Sequence, residues 1–155
     1  MRTNTPEFYE AVRKAVETNT LEFYEAVRKA VERQENGKPI CPETGSFIAW
    51  KQARTPNGEK CVVKLYVPAE AYRVGRSSLR NTCNKCRCNM AIVMSIMTSD
   101  GQFWDKAYSR YDSSFVYEIG QLVAVPGFSA DSKRICGTGI HFFMSKEEAW
   151  SYDFT

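Results

Sequence analysis

Ser46-Phe47-Ile48-Ala49-Trp50-Lys51-Gln52 and Lys60-Cys61-Val62-Val63-Lys64-Leu65-Tyr66-Val67 flank Thr55-Pro56-Asn57-Gly58. Both runs are rich in β-branched and aromatic side chains, which suit a pleated, half-buried surface. Between them Pro presets φ at the second turn position and Gly accepts φ > 0, so the chain reverses there. The stretch predicts a β-hairpin.

The same grammar recurs towards the C-terminus. Ala91 to Thr98 is an apolar strand, Ser99-Asp100-Gly101 a turn, and Gln102 to Ser109 its partner. Phe115 to Tyr117 and Gln121 to Val125 read as strands around Gly120, and Ile140 to Met144 as another. Ser145 opens a last helix, with Glu148 completing a capping box. Pro68 to Tyr72 fits a single helical turn, while Arg73 to Asn89 is polar, basic and without periodicity and reads as a long loop. Strands in hairpin succession with terminal helices predict an α+β fold, a mostly antiparallel sheet with a C-terminal helix.

Upstream of the hairpin the chain repeats itself. Asn4 to Thr18 recurs almost unchanged from Asn19 to Arg33. Phe8, Ala11, Val12, Ala15 and Val16, then Phe23, Ala26, Val27, Ala30 and Val31, fall at the spacing of one buried helical face. Glu10–Lys14 and Glu25–Lys29 are set for i,i+4 pairs. A fifteen-residue period rotates the second stripe by about 60° in one continuous helix. Thr18-Asn19-Thr20 are poor helix formers and good caps, so a break is expected there and the arm is expected to be two helices. The predicted organisation is a duplicated helical arm over 1–36 and a β-rich α+β domain over 37–155.

Composition bounds the class. Hydrophobic residues at 43% and charged residues at 25% match globular averages, and exclude a disordered or fibrous chain. Apolar runs such as Ala91 to Met97 fall well short of the ~20 residues that cross a bilayer, and no apolar signal core opens the chain. The expectation is a soluble, cytoplasmic protein with no membrane partner and with reduced thiols. Residues 1–36 hold six Lys/Arg and seven Asp/Glu, the rest fifteen and eleven, so the net charge of +3 belongs to the domain.

Several stretches resemble a family of uncharacterised phage and bacterial domains, found alone or beside pentapeptide repeats. They are Gly45 to Lys51, Lys64 to Pro68, Arg76-Ser77-Ser78, Lys85-Cys86-Arg87, Tyr111 to Gly120 and Cys136-Gly137-Thr138-Gly139-Ile140-His141-Phe142-Phe143. The last element, followed by Glu148-Ala149, is also similar to a segment of phage proteins related to the rapid-lysis B product. The resemblance implies phage or prophage origin rather than a chemistry. The arm, Cys83 and Cys88 depart from the family pattern.

Four constellations could carry function. Arg73, Arg76, Arg80, Lys85 and Arg87, with Ser77, Ser78 and Thr82 and no acid among them, combine the guanidinium forks and hydroxyls that bind phosphate. Trp50, Tyr72, Trp104 and Tyr108 could stack a base, although aromatics in strands are usually core. Cys83, Cys86 and Cys88, with Cys136 or His141, have spacing compatible with zinc, but a ribbon's second Cys-x-x-Cys is missing. Phe8, Tyr9, Phe23 and Tyr24 could join the arm to a partner or to a second copy as a homo-oligomer. No phosphate loop, paired His or Gly-x-Ser-x-Gly is present, so no catalytic residue is assigned. The reading favoured is a non-enzymatic binding protein that needs no cofactor and occupies a host protein or a phosphate-containing ligand, as an anti-defence inhibitor or nucleotide-sequestering protein. The alternative is a small zinc- or thiol-dependent enzyme or nucleic-acid-binding module centred on the cysteine cluster.

Overall fold

The computed structural model describes residues 20–35, 41–74, 86–110, 115–125, 127–128 and 139–152. Its first element, α1 (Thr20–Glu35), is the second copy of the repeat. The hairpin follows as β1 (Phe47–Arg54) and β2 (Lys60–Val67), in register from Phe47↔Val67 to Arg54↔Lys60. The N–H of Gly58 closes the turn on the carbonyl of Thr55 at 2.9 Å. β3 (Arg73–Val74), β4 (Cys86–Cys88) and β5 (Met90–Thr98) come next. Then follow β6 (Phe103–Trp104), β7 (Lys106–Tyr108), β8 (Val116–Glu118), β9 (Leu122–Ala124), β10 (Ile140–Phe142) and α2 (Lys146–Ser151). Every strand pairing among the described residues is antiparallel.

The sheet curls into a ring. β6 hangs on β5 and β7 on β1, at opposite ends of the order β6-β5-β2-β1-β7, yet only Asp105 separates them in the chain. In a flat sheet they would lie roughly 19 Å apart, while two residues of chain reach at most about 7 Å. The ring closes again further along β1, where Trp50 and Phe143 exchange backbone hydrogen bonds of 2.9 and 2.7 Å. Phe47, Ala49, Ala53, Cys61, Val63, Leu65 and Val67 alternate along the hairpin and are all buried inside. Both helices lie against the other face.

There, α1 seats the expected stripe: Ala30 is wholly buried, and Phe23, Ala26, Val27 and Val31 pack on the core. The ring of Phe23 meets Tyr66 edge-on at 5.3 Å. Gln34 then borders β1, donating to the carbonyl of Ile48 at 2.9 Å and accepting from its N–H. Glu25 pairs with Arg28 at 2.7 Å, where Lys29 was the expected partner, and Arg28 also takes Glu32 at 2.7 Å. α2 is capped by Ser145, whose hydroxyl accepts from the N–H of Glu148 at 3.1 Å. The buried carboxamide of Gln52 donates to the carbonyls of Ala149, Trp150 and Tyr152, the groups a helix end leaves unpaired.

Before the sheet one helix is described, beginning at Thr20; the first copy of the repeat and residues 18–19 lie outside the described residues, and with them the expected break and the two-helix arm. Two other expectations need correction. The strand expected over Gln102 to Ser109 is broken at Asp105, because its halves serve opposite edges of the ring. Arg73 to Asn89 is not simply a loop: both its ends are strands that pair with each other, and the second, Cys86–Cys88, pairs also with Ile140–Phe142 far along the chain. No described helix is long and apolar enough to cross a membrane.

Candidate functional site

The described residues of the basic and cysteine constellations converge on one three-stranded sheet, β10-β4-β3. Its registers are Phe142↔Cys86, His141↔Arg87 and Ile140↔Cys88 on one side of β4, and Arg73↔Cys88 and Val74↔Arg87 on the other. Alternation therefore places Arg73, Cys86 and Cys88 on the face with Ile140 and Phe142, turned to the ring interior. Val74, Arg87 and His141 share the outer face.

Arg73 is a staple. Its guanidinium donates to the carbonyls of Pro42, Gly45, Pro68, Ala69 and Ala71 and lies over the ring of Phe47 at 5.0 Å. One side chain thus ties the entry to β1 and the exit from β2 to the root of the β3–β4 hairpin. The tie was invisible in the sequence, because nothing local marks which carbonyls lack partners.

Arg87 is buried, 1% exposed, with its guanidinium over the ring of Phe128 at 5.0 Å. It is a strand residue and not the exposed loop cation expected. Beneath it Gly139 has φ +135°, and a Cβ there would lie 2.9 Å from both the Cys88 carbonyl oxygen and Phe128 Cδ2. Glycine is required at that point of the Gly-Ile-His element, for backbone conformation and for space.

Cys86 and Cys88 are likewise buried in a strand, not carried on a loop. The thiol of Cys41 hydrogen-bonds with that of Cys86, and this contact together with burial drives the Cys41 pKa far upward. Burial pushes the Cys88 thiol up to about 12, against a smaller downward pull from Arg73. Cys61 is pushed up to about 12, again by burial. Such thiols hold their protons at neutral pH and make poor nucleophiles. Among the described residues no three His, Cys, Asp or Glu side chains gather as a metal set. His141, half-buried on β10, has its backbone carbonyl held by Lys51 Nζ at 3.0 Å.

Arg76, Ser77, Ser78, Arg80, Cys83, Lys85 and Cys136 lie outside the described residues, as do Phe8 and Tyr9. Phe23 is committed to Tyr66, whereas Tyr24 is 62% exposed. Trp50, Tyr72 and Trp104, considered for base stacking, pack against the hydrophobic clusters. Lys51 and Tyr117, the latter buried in the ring with its hydroxyl pKa well raised by burial, were not singled out from sequence. A lysine alternating with Ala49 and Ala53 on an inward face was the available signal for Lys51.

An uncharacterized protein of Acanthamoeba polyphaga mimivirus is 35% identical over 96 residues, 59% of this chain. The chain spans 61% of that relative's length. No solved structure matches. The matched family region runs over residues 38–149, from just before the ring into α2, and leaves the duplicated arm outside it. On that match the chain belongs to the Family of unknown function (DUF5758).

Proposed function

We propose that this chain works by binding and not by catalysis, taking an anionic target at the β3–β4 connection. Arg76, Arg80 and Lys85, with Ser77 and Ser78, are the contact residues, and the target is a phosphate-containing ligand or an acidic face of a host protein. The observation that carries the reading is the fixed root of this connection. Arg73 binds five backbone carbonyls at one end and Arg87 is buried against Phe128 at the other. Two of the five cations therefore anchor the hairpin, and their fixed positions bracket the stretch that carries Arg76, Arg80 and Lys85. Charge-assisted hydrogen bonds of about 1.5–3 kcal/mol each let three side chains dominate an affinity.

A protein that acts by occupying its target needs no nucleophile, in keeping with thiols that burial keeps protonated. The alternative centred on Cys83, Cys86, Cys88, Cys136 and His141, with zinc or a thiolate at work, draws less support from the buried strand positions of Cys86 and Cys88. The mimivirus relative, and the resemblance to phage domains, favour a role in the cytoplasm of an infected cell, as an anti-defence inhibitor or a nucleotide-sequestering protein. The test is binding of the full chain to a fluorescent polyphosphate and to a panel of nucleotides, with co-purification from infected cells for a protein target. Salt-sensitive capture through Arg76, Arg80 and Lys85 supports the reading; capture indifferent to their replacement by glutamine overturns it.

A further inference from the structure

The two copies of the arm repeat differ at few positions, and the second copy reveals what those positions do. Pro6 corresponds to Leu21 and Thr18 to Arg33; one step on, Asn19 corresponds to Gln34. In α1 the shared residues form the apolar seat, with Ala30 buried and Phe23, Ala26, Val27 and Val31 against the ring. The unshared residues form the polar anchors. Arg33 donates to the carbonyl and hydroxyl oxygens of Ser46 at 2.8 and 3.0 Å, and Gln34 exchanges two hydrogen bonds with the backbone of Ile48. Leu21, the remaining difference, is 77% exposed. The apolar filling of this groove is thus written twice in the chain, and its polar fastening once.

We propose that residues 4–18 are a second occupant of the groove that α1 fills, competing with it within one chain, and that Arg33 and Gln34 decide the competition. Phe8, Ala11, Val12, Ala15 and Val16 reproduce Phe23, Ala26, Val27, Ala30 and Val31 side chain for side chain. The segment ends where α1 begins, so its local concentration at the groove is high. Seating it loops out fifteen residues, a closure cost that grows only with the logarithm of loop length. It also gives up the four anchoring hydrogen bonds. The arm is a clip with a built-in replacement, independent of the basic hairpin.

The test is a substitution cycle in the full chain. Phe8→Ala, Phe23→Ala and the pair are compared by thermal melting, while hydrogen exchange reads which copy is protected. Phe8→Ala alone leaves the Tm and the protection of 20–35 unchanged. Phe23→Ala moves protection from 20–35 to 5–18 with a small fall in Tm, and the pair loses more than the two singles together. In Arg33→Thr/Gln34→Asn, which keeps the apolar stripe whole, both copies share protection. Should Phe23→Ala unfold the chain outright, this anchor variant decides the matter by exchange alone. The proposal fails if 5–18 gains no protection in any variant, or if Phe8→Ala alone lowers the Tm, since the first copy would then have a seat of its own.

Discussion

The carboxamide of Gln34 treats Ile48 as a neighbouring strand would: it donates to the Ile48 carbonyl and accepts from the Ile48 N–H. Two residues on, Phe143 makes the same pair of bonds with Trp50, and Tyr108 takes up the pairing at Arg54. One side chain thus begins a ladder that two segments of backbone continue.

Gln34→Ala is therefore expected to cost more than an ordinary helix-end change. It leaves a half-buried N–H and C=O without their protein partner, a loss of about 1–3 kcal/mol. Gln34→Met, which keeps the bulk, should lose nearly as much. Urea unfolding followed by circular dichroism measures both, and a loss below 0.5 kcal/mol for the Ala variant, about the size of an ordinary surface change, would show that the ladder stands without Gln34.

Gly139→Ala should be among the most damaging single-atom additions in the chain. The new methyl meets the Cys88 carbonyl at 2.9 Å in a backbone conformation that disfavours any side chain. Gly58→Ala, in the hairpin turn at φ +87° with open space around it, suffers the backbone penalty alone, about 1–2 kcal/mol. The thermal midpoints should rank wild type, then the Gly58 variant, then the Gly139 variant. Equal midpoints for the two variants would remove the steric part of the account.

Cys88 sets both a substitution and a pH expectation. Cys88→Ser is expected to destabilise the fold, since a hydroxyl at this wholly buried position costs about 1–3 kcal/mol. The folded chain raises the pKa of Cys61 and Cys88 from an ordinary value near 9 to about 12. A raised pKa gives stability that is complete below the unfolded value and lost as pH climbs towards the folded one. Stability should thus be level through neutrality and fall between about pH 9 and 12, by up to about 1.4 kcal/mol per pH unit for each thiol. Cys88→Ala should shallow that slope. An alkaline slope unchanged by the substitution would assign the effect to Tyr117 and other groups.

Arg76→Gln/Arg80→Gln/Lys85→Gln should abolish polyphosphate binding while leaving the melting curve in place. Arg87→Gln should do the reverse, lowering the Tm because it removes a buried guanidinium from Phe128. In the wild type, raising salt from 0.05 to about 0.5 M should weaken binding, as screening shortens the reach of exposed charges. A triple variant that binds as well as wild type would move the surface elsewhere, with exposed Tyr24 the next residue to replace.

The hairpin at 47–67 was legible because its signals are local: alternation in each strand and Thr-Pro-Asn-Gly between them. The apolar stripe of α1 and the Ser145 cap were legible for the same reason. β4 was not. Cys-Arg-Cys carries no strand pattern of its own, and its pairing partners stand thirteen and fifteen residues away on one side and beyond residue 139 on the other. The split at Asp105 follows from ring closure, a property of the whole sheet that no window of sequence contains. In the candidate site, residue type alone did not tell how Arg73 and Arg87 are used. Arg73 looked like a ligand cation and is occupied by five carbonyls of its own chain.

Closure of the ring also orders events during synthesis. When β1 leaves the ribosome, the two segments that will complete its border, at Tyr108 and Phe143, have not yet been translated. Gln34 has. The partner for Ile48 is thus at hand from the start, while the rest of the border waits for the time needed to add about ninety residues, some 5–20 s at ordinary elongation rates. Of the three groups that border β1, the one on the arm is thus the first the chain has to hand.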